Sequence, residues 1–197
     1  MPARVPRFFG RKAFRHSRIG LALLAVGAAG AILLSLVPAW AELRVQGSAK
    51  FGTQITNALA ILESKAPEAY KIITNQIGII QQGEHSGMWA YRVPPVFEIA
   101  DPTAFYSVTW CAGSIAHDSM HSKLYHDYLL TNSAPVPDSI WTGANAEKIC
   151  LEHQVRVLKQ IGAPTNEINY CSQVKPDFYD VNKHGTNTWE DFKQRNW

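Results

Sequence analysis

Cysteine is scarce in this 197-residue chain: Cys111, Cys150 and Cys171 are the only three, and no two form a Cys-x-x-Cys pair. That spacing argues against a thiolate zinc site or a redox dithiol. Acidic residues are missing from the first eighteen positions, which carry six bases (Arg4, Arg7, Arg11, Lys12, Arg15 and Arg18). Charge of either sign is then missing from the next nineteen, Ile19 to Val37. No two arginines are adjacent, which removes twin-arginine export, and there is no internal repeat or low-complexity tract.

What stands at the N-terminus is therefore a basic flank, an apolar run, Pro38 and then "AWA", a small-x-small sequence of the kind cut by signal peptidases. The run is longer than the usual ~7–15-residue signal core and meets the ~17–25 residues that span a bilayer. Residues 1–41 are expected to be an export signal or, if uncleaved, a membrane anchor through residues 19–40. The positive-inside rule puts the remainder outside, as a periplasmic or secreted domain. That remainder, residues 42–197, is long enough for a single domain. It holds thirteen basic and sixteen acidic residues, a net charge of −3. The basicity of the whole chain thus belongs to targeting and not to a nucleic-acid footprint, which needs Lys and Arg clustered on the folded domain. In an oxidising compartment the three cysteines allow one disulfide and one free thiol.

Along the domain, residues 42–52 read as an extended lead-in. "TQITNALAILESKAP" places Ile55, Leu59 and Leu62 at helical spacing. "PEAYKIITNQIGIIQQG" predicts a second helix from Pro67 to Gly83. "SGMWAYRVPPVFEIAD" predicts two short edge strands around Pro94-Pro95, forming a hairpin near Met88–Ile99. A long helix is expected from about Pro102 to Leu130, followed by a proline-rich loop. "ANAEKICLEHQVRVLKQIG" is a periodic helix, and Thr165 is placed as the N-cap of another. The tail after Lys175 is polar and irregular, yet its aromatic residues suggest docking. The class expected is α+β, mainly helical.

The chemistry concentrates in "IAHDSMHSKLYHD", Ile115 to Asp127. On a helix, His117 and His121 stand one turn apart on one face, where two imidazoles can meet one ion. Ser114, Asp118, Tyr125 and Tyr128 flank the same stripe. A third ligand must come from elsewhere, and a catalytic site keeps one position open for water. A plainer account covers the same letters: His117 as a core histidine bonded to a carbonyl, Glu147 as a first-turn carboxylate facing the helix dipole, His126-Asp127 as a solvated pair, and His85 as a loop residue.

"HDSMH" resembles the HExxH motif of zinc metallopeptidases, and the order of segments over about residues 86–162 resembles the gluzincin branch. The resemblance implies a zincin-like domain with an edge strand before the motif helix and a glutamate on a second helix as third ligand. It implies Zn2+ on His117, His121 and Glu147, with a peptide or protein as substrate. Glu147 lies 26 residues beyond His121; Glu152 points away from it, and His153 is expected nearer the solvated face. The motif glutamate, the general base of the family, is here Asp118, one methylene shorter. A displacement of ~1 Å at such a base costs ~100-fold. Tyr125 or Tyr128 is a candidate oxyanion stabiliser, and Trp89 could line a substrate groove. Two other functions fit the letters. One is a non-catalytic zincin-like binding or structural module of the cell envelope. The other is an HD-type metal-dependent phosphohydrolase built on His85 and His117-Asp118.

Overall fold

The computed structural model describes residues 42–132, 135–178, 180–184 and 191. The export-or-anchor segment lies outside them, as do Tyr179, Trp189, Phe192 and Trp197 of the aromatic tail. Among the described residues no helix is long and apolar enough to cross a membrane. The class is mixed α+β and mainly helical, as the periodicity predicts.

After β1 (Arg44–Gln46), Ser48 starts α1 (Ala49–Lys65) by accepting from the Phe51 N–H at 3.2 Å. Phe51, Ile55, Ala58 and Leu62 follow at helical intervals and are fully buried. Pro67 opens α2 (Pro67–Gln76) at N1, where its missing N–H has no helical partner to lose. The predicted continuation of this helix to Gly83 is not found. Ile77 turns extended, and Ile79–Gly83 forms β2. Two causes coincide: the β-branched Ile79-Ile80 suits a pleated surface, and Gly78 lies so close to the Pro94 ring that a Cβ at position 78 would collide with it.

β3 (Gly87–Trp89) and β4 (Val96–Ala100) form the expected antiparallel hairpin, with Met88 opposite Phe97. It belongs to a larger sheet, in the order β1-β2-β4-β3, whose first three strands are parallel. The edge strand nearest the motif helix is β3.

The long helix expected from Pro102 is interrupted. A single turn, α3 (Asp101–Ala104), ends at Phe105, and α4 (Val108–Thr131) begins anew under its own cap, Ser107. Over its first half α4 is buried on nearly every side, with α1, α2 and α6 (Ala144–Ile161) packed around it. At Gly113 an added Cβ would meet Leu158 Cδ2 at 2.7 Å, so the missing side chain lets α6 approach one turn before His117. Ser122 Oγ donates to Gln76 O at 2.6 Å, tying α4 to the end of α2. A four-residue helix, α5 (Asp138–Trp141), sits in the segment read as a loop. α6 stops at Gly162, which takes the left-handed conformation (φ 74°) that glycine adopts without strain. α7 (Thr165–Gln173) has Pro164, not Thr165, at its N-cap. All three cysteines are buried free thiols, so the expected disulfide is absent.

Candidate metal centre

α4 and α6 each present one polar stripe inward, and the stripes meet. His117 and His121 come from α4, Glu147 from the first turn of α6, and all three are buried. The two Nε2 atoms are 3.1 Å apart. Glu147 Oε2 lies 3.3 Å from His117 Nε2, and Oε1 lies 3.6 Å from His121 Nε2. Four ligands at ~2.0–2.1 Å from one tetrahedral ion stand ~3.3 Å from each other, so these separations fit a zinc-sized site.

The outer face of each ring is fixed. His121 Nδ1 is 2.5 Å from the carbonyl of Trp141, which can only accept, so Nδ1 keeps its proton and Nε2 faces inward. His117 Nδ1 meets Gln154 Oε1 at 3.0 Å and is oriented in the same sense. The Trp141 carbonyl is itself held: the Trp141 ring packs edge-on against Tyr125 (5.4 Å between centroids) and Tyr91 (6.3 Å).

The two inward ring nitrogens and the carboxylate bond to one another across this seam, and all three are groups of the kind that ligate a metal. Electrostatics agrees. Burial alone would raise the Glu147 carboxyl, but His121 and His117 outweigh it and hold it well below the usual carboxylate range. Burial alone would lower His121; the Cys150 thiol and Glu147 override that and hold its value well above an ordinary imidazole's.

A cavity of about 600 Å³ opens over the cluster, lined among others by Asp118, Thr103, Tyr106, Trp110 and Tyr170. Its far wall is secured by Glu167, which accepts from Ser107 Oγ and Thr109 Oγ1, both at 2.7 Å. Asp118, the residue after His117 on α4, is half-buried and lines the cavity. Tyr125, Tyr128, Trp89 and His85 are not among the lining residues. Glu152 is exposed, as its phase on the helix indicates. His153 is not near solvent as expected: it is only 6% exposed, because α6 is covered on more than one side. Asp127 is exposed and acts electrostatically on the half-buried His126 beside it. His126 Nδ1 bonds back to Ser122 O at 2.8 Å, and Asp127 pairs with Lys123.

Sequence reasoning missed Cys150. One ligand atom each from His117, His121 and Cys150 lies within 4.8 Å of the others. The available signal was spacing, since Cys150 is three residues after Glu147 and so on the same helix face. It also missed a second cluster, where His184 stands 3.1 Å from Asp180 Oδ1 and 3.5 Å from Asp191 Oδ2. There both ring nitrogens face carboxylates, and Asn182 donates to Asp191 through its N–H and side chain, both at 3.0 Å. Compared with family models, curated proteins and solved structures, the chain matches none.

Proposed function

We propose that residues 42–197 are an exported zinc-dependent hydrolase domain of zincin-like type, most simply a peptidase. His117, His121 and Glu147 would hold the ion. The observation that carries this reading is two imidazole nitrogens 3.1 Å apart, each facing one oxygen of the same buried carboxylate, at 3.3 and 3.6 Å. Zinc bound there would supply a Lewis acid that polarises a carbonyl and acidifies a water. The residues do the remainder. Gln154 and the Trp141 carbonyl fix the rings, Asp118 on the cavity wall accepts the proton of the attacking water, and the cavity beyond it receives substrate.

A non-catalytic metal-binding module is the second reading, favoured by the shorter stem of Asp118. The phosphohydrolase reading lacks comparable support, because His85 does not line the cavity. Metal analysis of the purified chain tests the shared premise. One zinc per chain, lost in His117→Ala, is expected; no zinc above background ends both favoured readings. Hydrolysis of a broad peptide library by the zinc-loaded protein separates the two.

A further inference from the structure

We propose that Cys150 is a fourth ligand of this metal centre, so that the resting site is closed by a thiolate instead of water. The inference rests on the reading that His117, His121 and Glu147 hold an ion, and goes beyond it in naming both the ligand and the class of metal.

Three observations converge. Cys150 is fully buried beside the cluster. Its sulfur belongs to the same cluster as the inward nitrogens of His117 and His121, with every separation within 4.8 Å. It also lies three residues after Glu147 on α6, about one turn along the same helix. For a sulfur at ~2.3 Å and a nitrogen at ~2.0–2.1 Å from one tetrahedral ion, the S···N separation is ~3.6 Å.

Among the three cysteines the position is distinctive. Burial pushes Cys111 and Cys171 up to about 12, and thiols so placed are inert. Cys150 instead has its sulfur beside an imidazole nitrogen of each of two histidines. On coordination the S–H bond breaks, its proton goes to solvent, and the sulfur lone pair forms the bond to the metal, displacing a water. No oxidant is needed. A ligand set of two histidines, one glutamate and one cysteine selects zinc or a similar thiophilic ion over magnesium or calcium, which take oxygen ligands. It also withholds the ion from substrate until the thiolate leaves.

X-ray absorption at the zinc edge of the loaded full chain tests this directly. The expected shell has one sulfur at ~2.3 Å beside nitrogen and oxygen at ~2.0–2.1 Å, and Cys150→Ser removes the sulfur. In the cobalt(II) form, the same change removes the thiolate-to-metal charge-transfer band. Cys150→Ser should also lower zinc affinity by at least ~10-fold, the least that loss of a ligand's supporting partner costs. Should Cys150→Ser fail to fold, the double variant Cys111→Ser/Cys171→Ser serves instead: the sulfur shell must survive there. A bound zinc with only nitrogen and oxygen neighbours overturns the proposal and leaves the metal site standing. A sulfur shell that persists in Cys150→Ser, or disappears in the double variant, overturns it too. Absence of any bound zinc removes both.

Discussion

Asp118 and His153 show how differently two neighbours of one cluster can matter. Asp118 lines the cavity, while the ion would rest on His117, His121 and Glu147. Asp118→Asn should therefore abolish hydrolysis and leave zinc affinity within a few-fold of wild type, by titration calorimetry. If Asp118 instead buttresses a ligand, affinity drops ~10–100-fold. Asp118→Glu restores the longer stem and should raise the rate. Unchanged turnover in Asp118→Asn would remove Asp118 from the chemistry. His153 acts on stability. Burial, helped by the nearby Arg156 and His117, pushes it down to about 4 from the ordinary 6.5, and its Nε2 is buried with no hydrogen-bond partner. A histidine depressed in the folded state binds its proton more readily when unfolded. Its contribution is thus complete above pH 6.5 and is lost progressively as the pH falls toward 4. His153→Gln should flatten that part of the stability–pH curve in urea titrations; an unaltered slope would contradict the assignment.

At the scale of elements, the junction before α4 and the contact behind it set the site. Ser107 both caps α4 and donates to Glu167 of α7. Ser107→Ala should cost ~0.5–2 kcal/mol for the cap. It also removes one of the two side-chain hydroxyls that Glu167 accepts from. A loss below ~0.3 kcal/mol by urea denaturation would show that the cap is dispensable, since even weak caps contribute more. Gly113→Val drives a branched side chain into Leu158 and should destabilise by ~1–3 kcal/mol, separating the two helices that carry His117, His121 and Glu147. Whether these elements could be read in advance depended on their pattern. α1 and α6 could, because their buried residues recur at helical spacing, and the hairpin could, because short aromatic and β-branched runs flank Pro94-Pro95. α2 was read too long because an isoleucine-rich run suits a buried helix and a buried strand equally. α5 was invisible: four residues are too few for a period, and its role, offering a carbonyl to His121, uses no side-chain chemistry. Cys150 escaped notice because a lone cysteine in a helix forms no motif; only packing against α4 gives it meaning.

For the whole molecule, the question is how much of the fold depends on the ion. The core of Phe51, Ile55, Ile73, Ile80, Phe97, Ile115 and Leu158 is continuous through α1, α2, the sheet, α4 and α6. It does not pass through the cluster of His117, His121 and Glu147. Within the cluster, His121 and Glu147 also favour each other's charged forms. A domain built this way should not unfold when stripped of zinc, unlike small metal-folded modules; it should only lose the linkage energy. At free zinc ~100-fold above the dissociation constant, that energy is ~2.7 kcal/mol. For a domain of this size, ~2–4 °C per kcal/mol gives a fall in Tm of ~5–11 °C on chelation, with helical circular dichroism retained at ~25 °C. His117→Ala should melt at the chelated value and be indifferent to chelator. A collapse of the helical signal on chelation would instead make the ion part of the core, and a Tm unmoved by chelator in protein loaded with zinc would mean that the ion sits elsewhere. The intermediate outcome follows from a ligand cluster set at the seam of two helices whose packing is complete without it.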